Sequence, residues 1–242
     1  MHCRKYIYSG DVLEIEEYIA ARPSGKQAPR GSKENLTTAQ QQEQNLRNAR
    51  KWLTRKINAN FGRGDIFATL TYKGNQPSDE QAIKDRSNFF RRSQTLCHRS
   101  GKKNPKYIGV TEGMEQSPDH RVHHHVIISG LEAEEIRKLW KNGKVILSWL
   151  DPEEDYTGLA HYITKDTGIG PHKKKWCQSK GLKKPKIVKK IIKSDHGRPI
   201  KVPKGYKVIV QEMYASERTG KMQYIRAIRI GGMDYATGKG TG

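Results

Sequence analysis

Paired cysteines are missing from this sequence. Cys3, Cys97 and Cys177 are isolated, odd in number and form no Cys-x-x-Cys, which argues against a zinc ribbon or a disulfide framework and for a reducing compartment. No run approaches the roughly 18 apolar residues of a membrane-crossing helix. No basic amphipathic stretch has the aromatic face that interfacial anchoring needs, so no membrane partner is expected. The opening Met1-His2-Cys3-Arg4-Lys5-Tyr6 lacks the apolar core of a secretory signal, and the chain is expected in the cytoplasm. A Walker A loop is missing too. Its nearest approach, Gly232 to Lys239, has the wrong spacing and no following Ser or Thr, so any unwinding of a duplex would come from a partner.

Acidic residues are also in deficit. The 46 Lys and Arg face 25 Asp and Glu, a formal charge of +21 over 242 residues. Such an excess fits a polyanionic partner, because counterion release drives binding to phosphate backbones. Nucleic acid is therefore the favoured partner. A hydrophobic share of 34% and a charged share of 29% allow one core with a very polar surface, either one large domain or one domain with extensions.

What the chain does have is Arg121-Val122-His123-His124-His125-Val126-Ile127-Ile128-Ser129, a run too short and too β-branched for a helix. On a strand, His123 and His125 share a face with Cα atoms about 7 Å apart, and His124 points to the other. Two imidazoles on a rigid strand are ready ligands for one cation, and imidazole suits Mn, Fe, Ni, Cu and Zn better than hard Mg. An exposed His-rich edge strand would show the same triplet, so the surrounding chain has to decide.

Residues 4–19 alternate as a hairpin about Ser9-Gly10-Asp11, and 22–35 form a polar loop rich in Pro, Gly and Ser. Thr37 and Gln40 have the spacing of a capping box. Leu46, Ala49, Leu53 and Ile57 then give a helix an apolar stripe, with Arg47, Arg50, Lys51 and Arg55 opposite, either solvated or facing DNA. Strands are expected at 66–72, 107–112 and 144–150, and helices at 79–97 (capped by Ser78), 131–140 and from Tyr156 to about Asp166. A turn at 113–119 makes 107–112 and the His strand an antiparallel hairpin, so Glu112 ends the strand beside His123 and His125 and could supply a third metal ligand. Residues 173–193 hold ten lysines and no acid. Strands follow at 206–214 and 222–230, then a Gly-rich tail.

The expected fold class is α+β: an antiparallel sheet with helices packed on one face. The expected parts are an N-terminal hairpin and helix at 1–61, a core at 62–170, a lysine-rich segment with C-terminal strands at 171–230, and a flexible tail at 231–242. Three stretches in this order resemble the motifs of the HUH superfamily of single-strand endonucleases, and specifically rolling-circle replication initiators with one catalytic tyrosine. Phe67-Ala-Thr-Leu-Thr-Tyr72 is similar to the first motif. His123-His124-His125 is similar to the His-hydrophobe-His metal motif, departing from it in the middle residue. Tyr162-Ile-Thr-Lys165 is similar to the Tyr-x-x-Lys motif carried on a helix. The resemblance spans roughly residues 65–168 and implies a core of the RRM-like or ferredoxin-like kind.

The resemblance implies metal-dependent nicking and joining of single-stranded DNA at the origin of a plasmid, phage or other element. Tyr162 would form a 5′-phosphotyrosine bond and leave a 3′-OH primer, with Lys165 favouring the developing charge. His123, His125 and Glu112 would hold a divalent metal, Mn or Mg. DNA contacts are expected from Arg121, Lys173, Lys174, Lys175, Trp176 and Lys180, and the host's helicase and DNA polymerase are expected partners. Tyr156 lies about 240° round the helix from Tyr162 and so faces elsewhere, while Tyr72 is expected to pack or to touch DNA. His120 and His124 are not expected as ligands, and His161 is a candidate proton acceptor. Two alternatives stay open: a single-tyrosine HUH transposase, and a non-catalytic nucleic-acid-binding domain of similar topology, which would need exposed aromatics on its central strands.

Overall fold

A computed structural model describes residues 2–19, 39–113, 121–151, 155–165, 176–192, 198–216 and 220–230. Outside them lie the loop at 22–35, Thr37, His120, Asp166, Lys173 to Lys175, most of the turn after Ser216 and the Gly-rich tail. The fold is α+β, with two five-stranded sheets whose pairings are all antiparallel. By contacts the chain divides into two compact units, Met1–Asn48 with Lys184–Gly242, and Ala49–Lys183. The division falls inside the first helix, α1 (Ala39–Asn60).

The first unit is built on the expected hairpin, β1 (His2–Ser9) and β2 (Val12–Ile19). Three strands from the other end of its sequence join it: β8 (Lys186–Ile192), β9 (Tyr206–Ser216) and β10 (Gly220–Arg229). The order is β8-β1-β2-β10-β9. Leu13, Ile15, Ile200 and Ile225 form its apolar cluster. Sequence reading placed the N-terminal hairpin and the C-terminal strands in separate extensions, but they share one sheet. It also treated 173–193 as one lysine-rich segment, yet Lys186–Ile192 is a strand. Val188 and the isoleucines in that run carry the β propensity that the lysines mask.

The second unit holds the His strand. Its sheet has the order β6-β3-β5-β4-β7, from β3 (Ile66–Thr71), β4 (Tyr107–Glu112), β5 (His123–Ile128), β6 (Val145–Trp149) and β7 (Cys177–Gln178). Its helices beside α1 are α2 (Asp79–Arg99), α3 (Ala133–Leu139) and α4 (Thr157–Tyr162). The Ser78 side chain accepts from the Gln81 N–H, as expected, with Asp79 and Glu80 in the first turn and His98 and Arg99 in the last. Such a cap is worth about 1 kcal/mol, and those charges suit the helix dipole.

Helices cover both faces of this sheet rather than the single face expected. On one face Ala68, Leu70, Val126 and Ile128 pack with Phe89 and Phe90 of α2 and with Ile136 and Trp140. On the other, Ile108, Val110 and Ile127 pack with Leu53 and Ile57 of α1 and with Ala160 and Ile163 around α4. The period of two in a strand divides the residues this way, and it puts His124 on the first face and His123 with His125 on the second.

Candidate active site

β5 is the central strand, flanked by β3 and β4. Its register sets Glu112 opposite His123, Val110 opposite His125 and Thr69 across from His125 on the other side. Glu112, at the end of β4, therefore shares a face with both histidines, as the hairpin predicted. One Glu112 carboxylate oxygen, Oε2, lies 3.3 Å from His123 Nε2 and 3.3 Å from His125 Nε2. Each residue offers one ligand atom, and all three lie within 4.8 Å of one another. Two donors bonded at about 2.1 Å to a common ion, about 90–109° apart, sit about 3.0–3.4 Å from each other. The Glu–His separations match.

The surroundings fit a cation as well. Glu112 and His125 are 2% and 1% exposed, yet Glu112 Oε1 and His125 Nε2 have no hydrogen-bond partner. Burying such atoms unpartnered is costly, and a metal ion would satisfy both. The far ring nitrogens are held in place: His123 Nδ1 donates to the Arg121 carbonyl at 2.8 Å, and His125 Nδ1 lies 3.1 Å from Thr69 Oγ1. Such contacts fix ring orientation and leave Nε2 for a metal. Burial pushes the Glu112 carboxyl up, but the two imidazoles against it more than offset this and hold it at about 2. The Glu112 carboxylate in turn raises His123 above its ordinary value, against burial. The residues present fit a divalent transition metal.

Gly113 shapes the next shell. Its φ is +70°, and a Cβ there would lie 2.1 Å from the Arg121 carbonyl oxygen. Only glycine lets the end of β4 cross so near the carbonyl that holds His123. Gln76 Oε1 accepts from the Val122 N–H at 2.8 Å and secures the same segment. A cleft of about 650 Å³ opens here, lined among others by Thr71, Gln76, Glu112, Arg121, His123 and Lys165.

Tyr162 stands beside the histidines. Its ring centroid is 5.0 Å from that of His125 and 6.2 Å from that of Phe67, which stacks on His125 at 5.4 Å. Tyr162 is 47% exposed, so its ring reaches solvent next to the triad. Lys165 Nζ lies 5.0 Å from the Tyr162 ring centroid. The helix carrying the tyrosine is shorter than expected. α4 ends at Tyr162, and Ile163 is its C-cap, so Lys165 follows in a turn. The pair meets through that turn rather than through helical spacing.

A helix of six residues is marginal by itself, and its neighbours anchor it. Arg50 of α1 donates from Nε to Thr164 Oγ1 and from its terminal nitrogen to the Thr164 carbonyl, both at 3.1 Å. Thr164 Oγ1 donates back to Ala160 at 2.6 Å. Arg50 is thus part of the protein's frame and not a DNA-facing cation. Arg55 of the same expected face is buried at 4%, whereas Arg47 and Lys51 are exposed. Tyr156 is buried, with its hydroxyl donating to Asp151 at 2.8 Å, away from the triad as expected.

The departure in the middle of the His motif has a structural reason. His124 is fully buried within a chain of hydrogen bonds on the opposite face. Arg86 donates to Thr111 Oγ1 at 2.6 Å, which lies 3.0 Å from His124 Nδ1. His124 Nε2 lies 2.9 Å from the Tyr72 hydroxyl, which donates to Asp85 at 3.2 Å. One neutral tautomer, protonated at Nε2, satisfies every member. Burial, helped by Arg86 and the neighbouring histidines, lowers His124 to about 3. Burial and the Asp85 carboxylate push the Tyr72 phenol up.

The structure brings Glu112, His123, His125, Tyr162, Lys165 and exposed Arg121 to one place. Trp176 lies by the edge strand β7, packed on the α1 side of the sheet, its indole N–H donating to Gln178 at 3.2 Å. Lys180 is exposed in the turn beyond, and Lys173, Lys174 and Lys175 lie outside the described residues. Sequence reading missed Thr69, Gln76, Gly113 and Arg50. Pairing the Phe67–Tyr72 stretch with the His strand could have found Thr69, but nothing in the pattern marks Arg50.

A family model for replication-associated proteins, that of Replication-associated protein ORF2, matches residues 65–167. That span opens just before β3 and closes after Lys165, so it contains the triad and the tyrosine. The match supports a role in replication initiation. Comparisons with curated proteins and with solved structures gave no match. Among the described residues no helix is long and apolar enough to cross a membrane.

Proposed function

We propose that this protein nicks and rejoins single-stranded DNA at a rolling-circle replication origin, through a covalent bond to Tyr162, as an endonuclease of the HUH type. The observation that carries the proposal is the placement of an exposed tyrosine ring 5.0 Å from a histidine of a buried two-His, one-carboxylate triad. His123, His125 and Glu112 would hold a divalent ion, Mn or Mg, which supplies Lewis-acid polarisation of the scissile phosphate. Lys165 and Arg121 line the same cleft and bind the phosphate's non-bridging oxygens as charge builds there.

The Tyr162 oxygen attacks phosphorus in line with the departing 3′ oxygen. The P–O3′ bond breaks as the O–P bond to tyrosine forms. The phenolic proton leaves to solvent, and the 3′ oxygen takes one up to give the 3′-OH. One phosphodiester replaces another, so the reverse attack by a 3′-OH reseals the strand without ATP. Lys165 favours the phenolate and the developing negative charge. The chain carries no motor of its own in this scheme, and host helicase and polymerase would unwind and extend.

Tyr162→Phe tests the proposal, since it keeps the ring against His125 and removes only the attacking oxygen. With Mn and a single-stranded oligonucleotide from the gene's own neighbourhood, the wild type should be trapped on the 5′ end of the cut. Peptide mapping should place the adduct between Leu159 and Lys165, and Tyr162→Phe should bind DNA yet form neither adduct nor nick. An adduct on Tyr72 or Tyr156, or cleavage by Tyr162→Phe leaving a free 5′-phosphate, would overturn it.

A further inference from the structure

The unit without the triad is as basic as the unit with it. Residues 1–48 and 184–242 hold 21 Lys and Arg against 10 Asp and Glu, and residues 49–183 hold 25 against 15. In the first unit, several acids are matched on the β1–β2 hairpin. Arg4 meets Glu17 at 2.7 Å and Lys5 meets Glu16 at 2.9 Å, while Glu14 accepts from the Tyr224 hydroxyl at 3.1 Å.

The edge strand β8 then adds a second cation to each of those rows. Its register sets Lys189 directly opposite Lys5 and Lys190 directly opposite Arg4. Cross-strand neighbours share a face, so Lys189–Lys5–Glu16 lies on one face and Lys190–Arg4–Glu17 on the other. Each row has two cations to one acid, and like charges directly opposite destabilise a sheet. Lysines on an edge strand can serve merely to block edge-to-edge aggregation, but that use needs no cations facing them on the next strand. Lys186, Lys189 and Lys190 are all exposed, as are Ile187 and Ile191 between them.

We propose that the β8 edge binds the phosphate backbone of duplex DNA, whose negative charge resolves the like-charge pairing. The partner rests on the reading that the protein acts on DNA. A duplex is favoured over a single strand because no aromatic of β8 is offered for base stacking, which single-strand grooves use. Phosphates need only cations, and such binding would carry no sequence information.

The test is the full-length triple variant Lys186→Gln, Lys189→Gln, Lys190→Gln, with the Lys→Arg triple as control. Binding to a random-sequence duplex is followed by fluorescence anisotropy across a salt series. The slope of log affinity against log salt should flatten by about 0.9 for each phosphate that the variant no longer neutralises. The Arg triple should keep the slope, and without DNA the Gln triple should melt at the same or a higher temperature at low salt. Nicking of a saturating single-stranded oligonucleotide should be unchanged. An unchanged duplex slope together with new self-association would show that the lysines only guard the edge. Weakened binding of single strands but not of duplex would equally overturn the assignment. Wild-type protein that binds the duplex but never nicks would instead remove the nuclease reading and leave this one standing.

Discussion

Replacing His124 by leucine restores an aliphatic residue between the two metal ligands, and the buried hydrogen-bond chain sets what that should cost. At pH 7 the change removes the bonds to Thr111 Oγ1 and the Tyr72 hydroxyl, each worth about 1 kcal/mol net. Leucine recovers part of this by apolar burial beside Val126, Leu70 and Trp140. The variant should therefore be about 1–2 kcal/mol less stable at pH 7. The order should change in acid. His124 is lowered from its ordinary value of 6.5 to about 3 in the folded protein, so the unfolded chain takes up its proton first. The stability tied to the neutral ring is fully present above pH 6.5 and is lost as pH falls towards 3. At about 1.4 kcal/mol per pH unit, wild type forfeits about 2 kcal/mol by about pH 5 that the leucine variant does not. Urea unfolding of both proteins from neutral pH down to about pH 4, with a chelator present, reads the difference directly, because the other titrating groups are common to both. The stability curves should cross near about pH 5. A constant gap across that range would mean that His124 is not held neutral by burial, and the hydrogen-bond chain around it would have to be redrawn.

Three further outcomes follow from the site. Mn at about a hundred times its Kd should stabilise wild type by about 2.7 kcal/mol in thermal unfolding, and the His123→Ala, His125→Ala double variant should show no such shift while still binding DNA. Gly113→Ala should weaken metal affinity about 10- to 100-fold by displacing the Arg121 carbonyl from His123, as read by Mn titration, and an unchanged affinity would remove that carbonyl from the site's support. Arg50→Ala should slow adduct formation on Tyr162 by up to about 100-fold, as a shift of about 1 Å would, with metal affinity unaltered. An unchanged single-turnover rate would reduce the Arg50–Thr164 contact to a purely structural one.

The triad was legible because each of its determinants is local. A β-branched run with period two puts His123 and His125 on one face, and a short turn brings back the strand that ends in Glu112. Elements set by chain-distant pairing were not legible in the same way. β8 hides its isoleucines among lysines, and nothing in residues 186–192 says that the partner is Tyr8 to His2. Burial of both sheet faces was missed because an amphipathic helix shows that it packs, not which side it packs on. The length of α4 was overestimated for a related reason: the periodicity of Leu159 and Ile163 continues past the point where Thr164 turns its hydroxyl onto Ala160.

The middle histidine shows what such distant pairing adds to a locally written motif. A strand that carries metal ligands on one face must hold them still, and an aliphatic residue between them would do so by packing alone. Here His124 instead ties β5 to β4 through Thr111 and to the end of β3 through Tyr72, with Arg86 and Asp85 of α2 closing the chain. Thr111 is the residue before Glu112, so the same bonds that seat His124 fix the strand position from which the carboxylate reaches both imidazoles. Packing tolerates small sliding of one strand past another, whereas directed hydrogen bonds between buried groups do not. The departure from an aliphatic residue thus exchanges a tolerant contact for a specific one, and the pH dependence of stability is the physical consequence of making it with histidine.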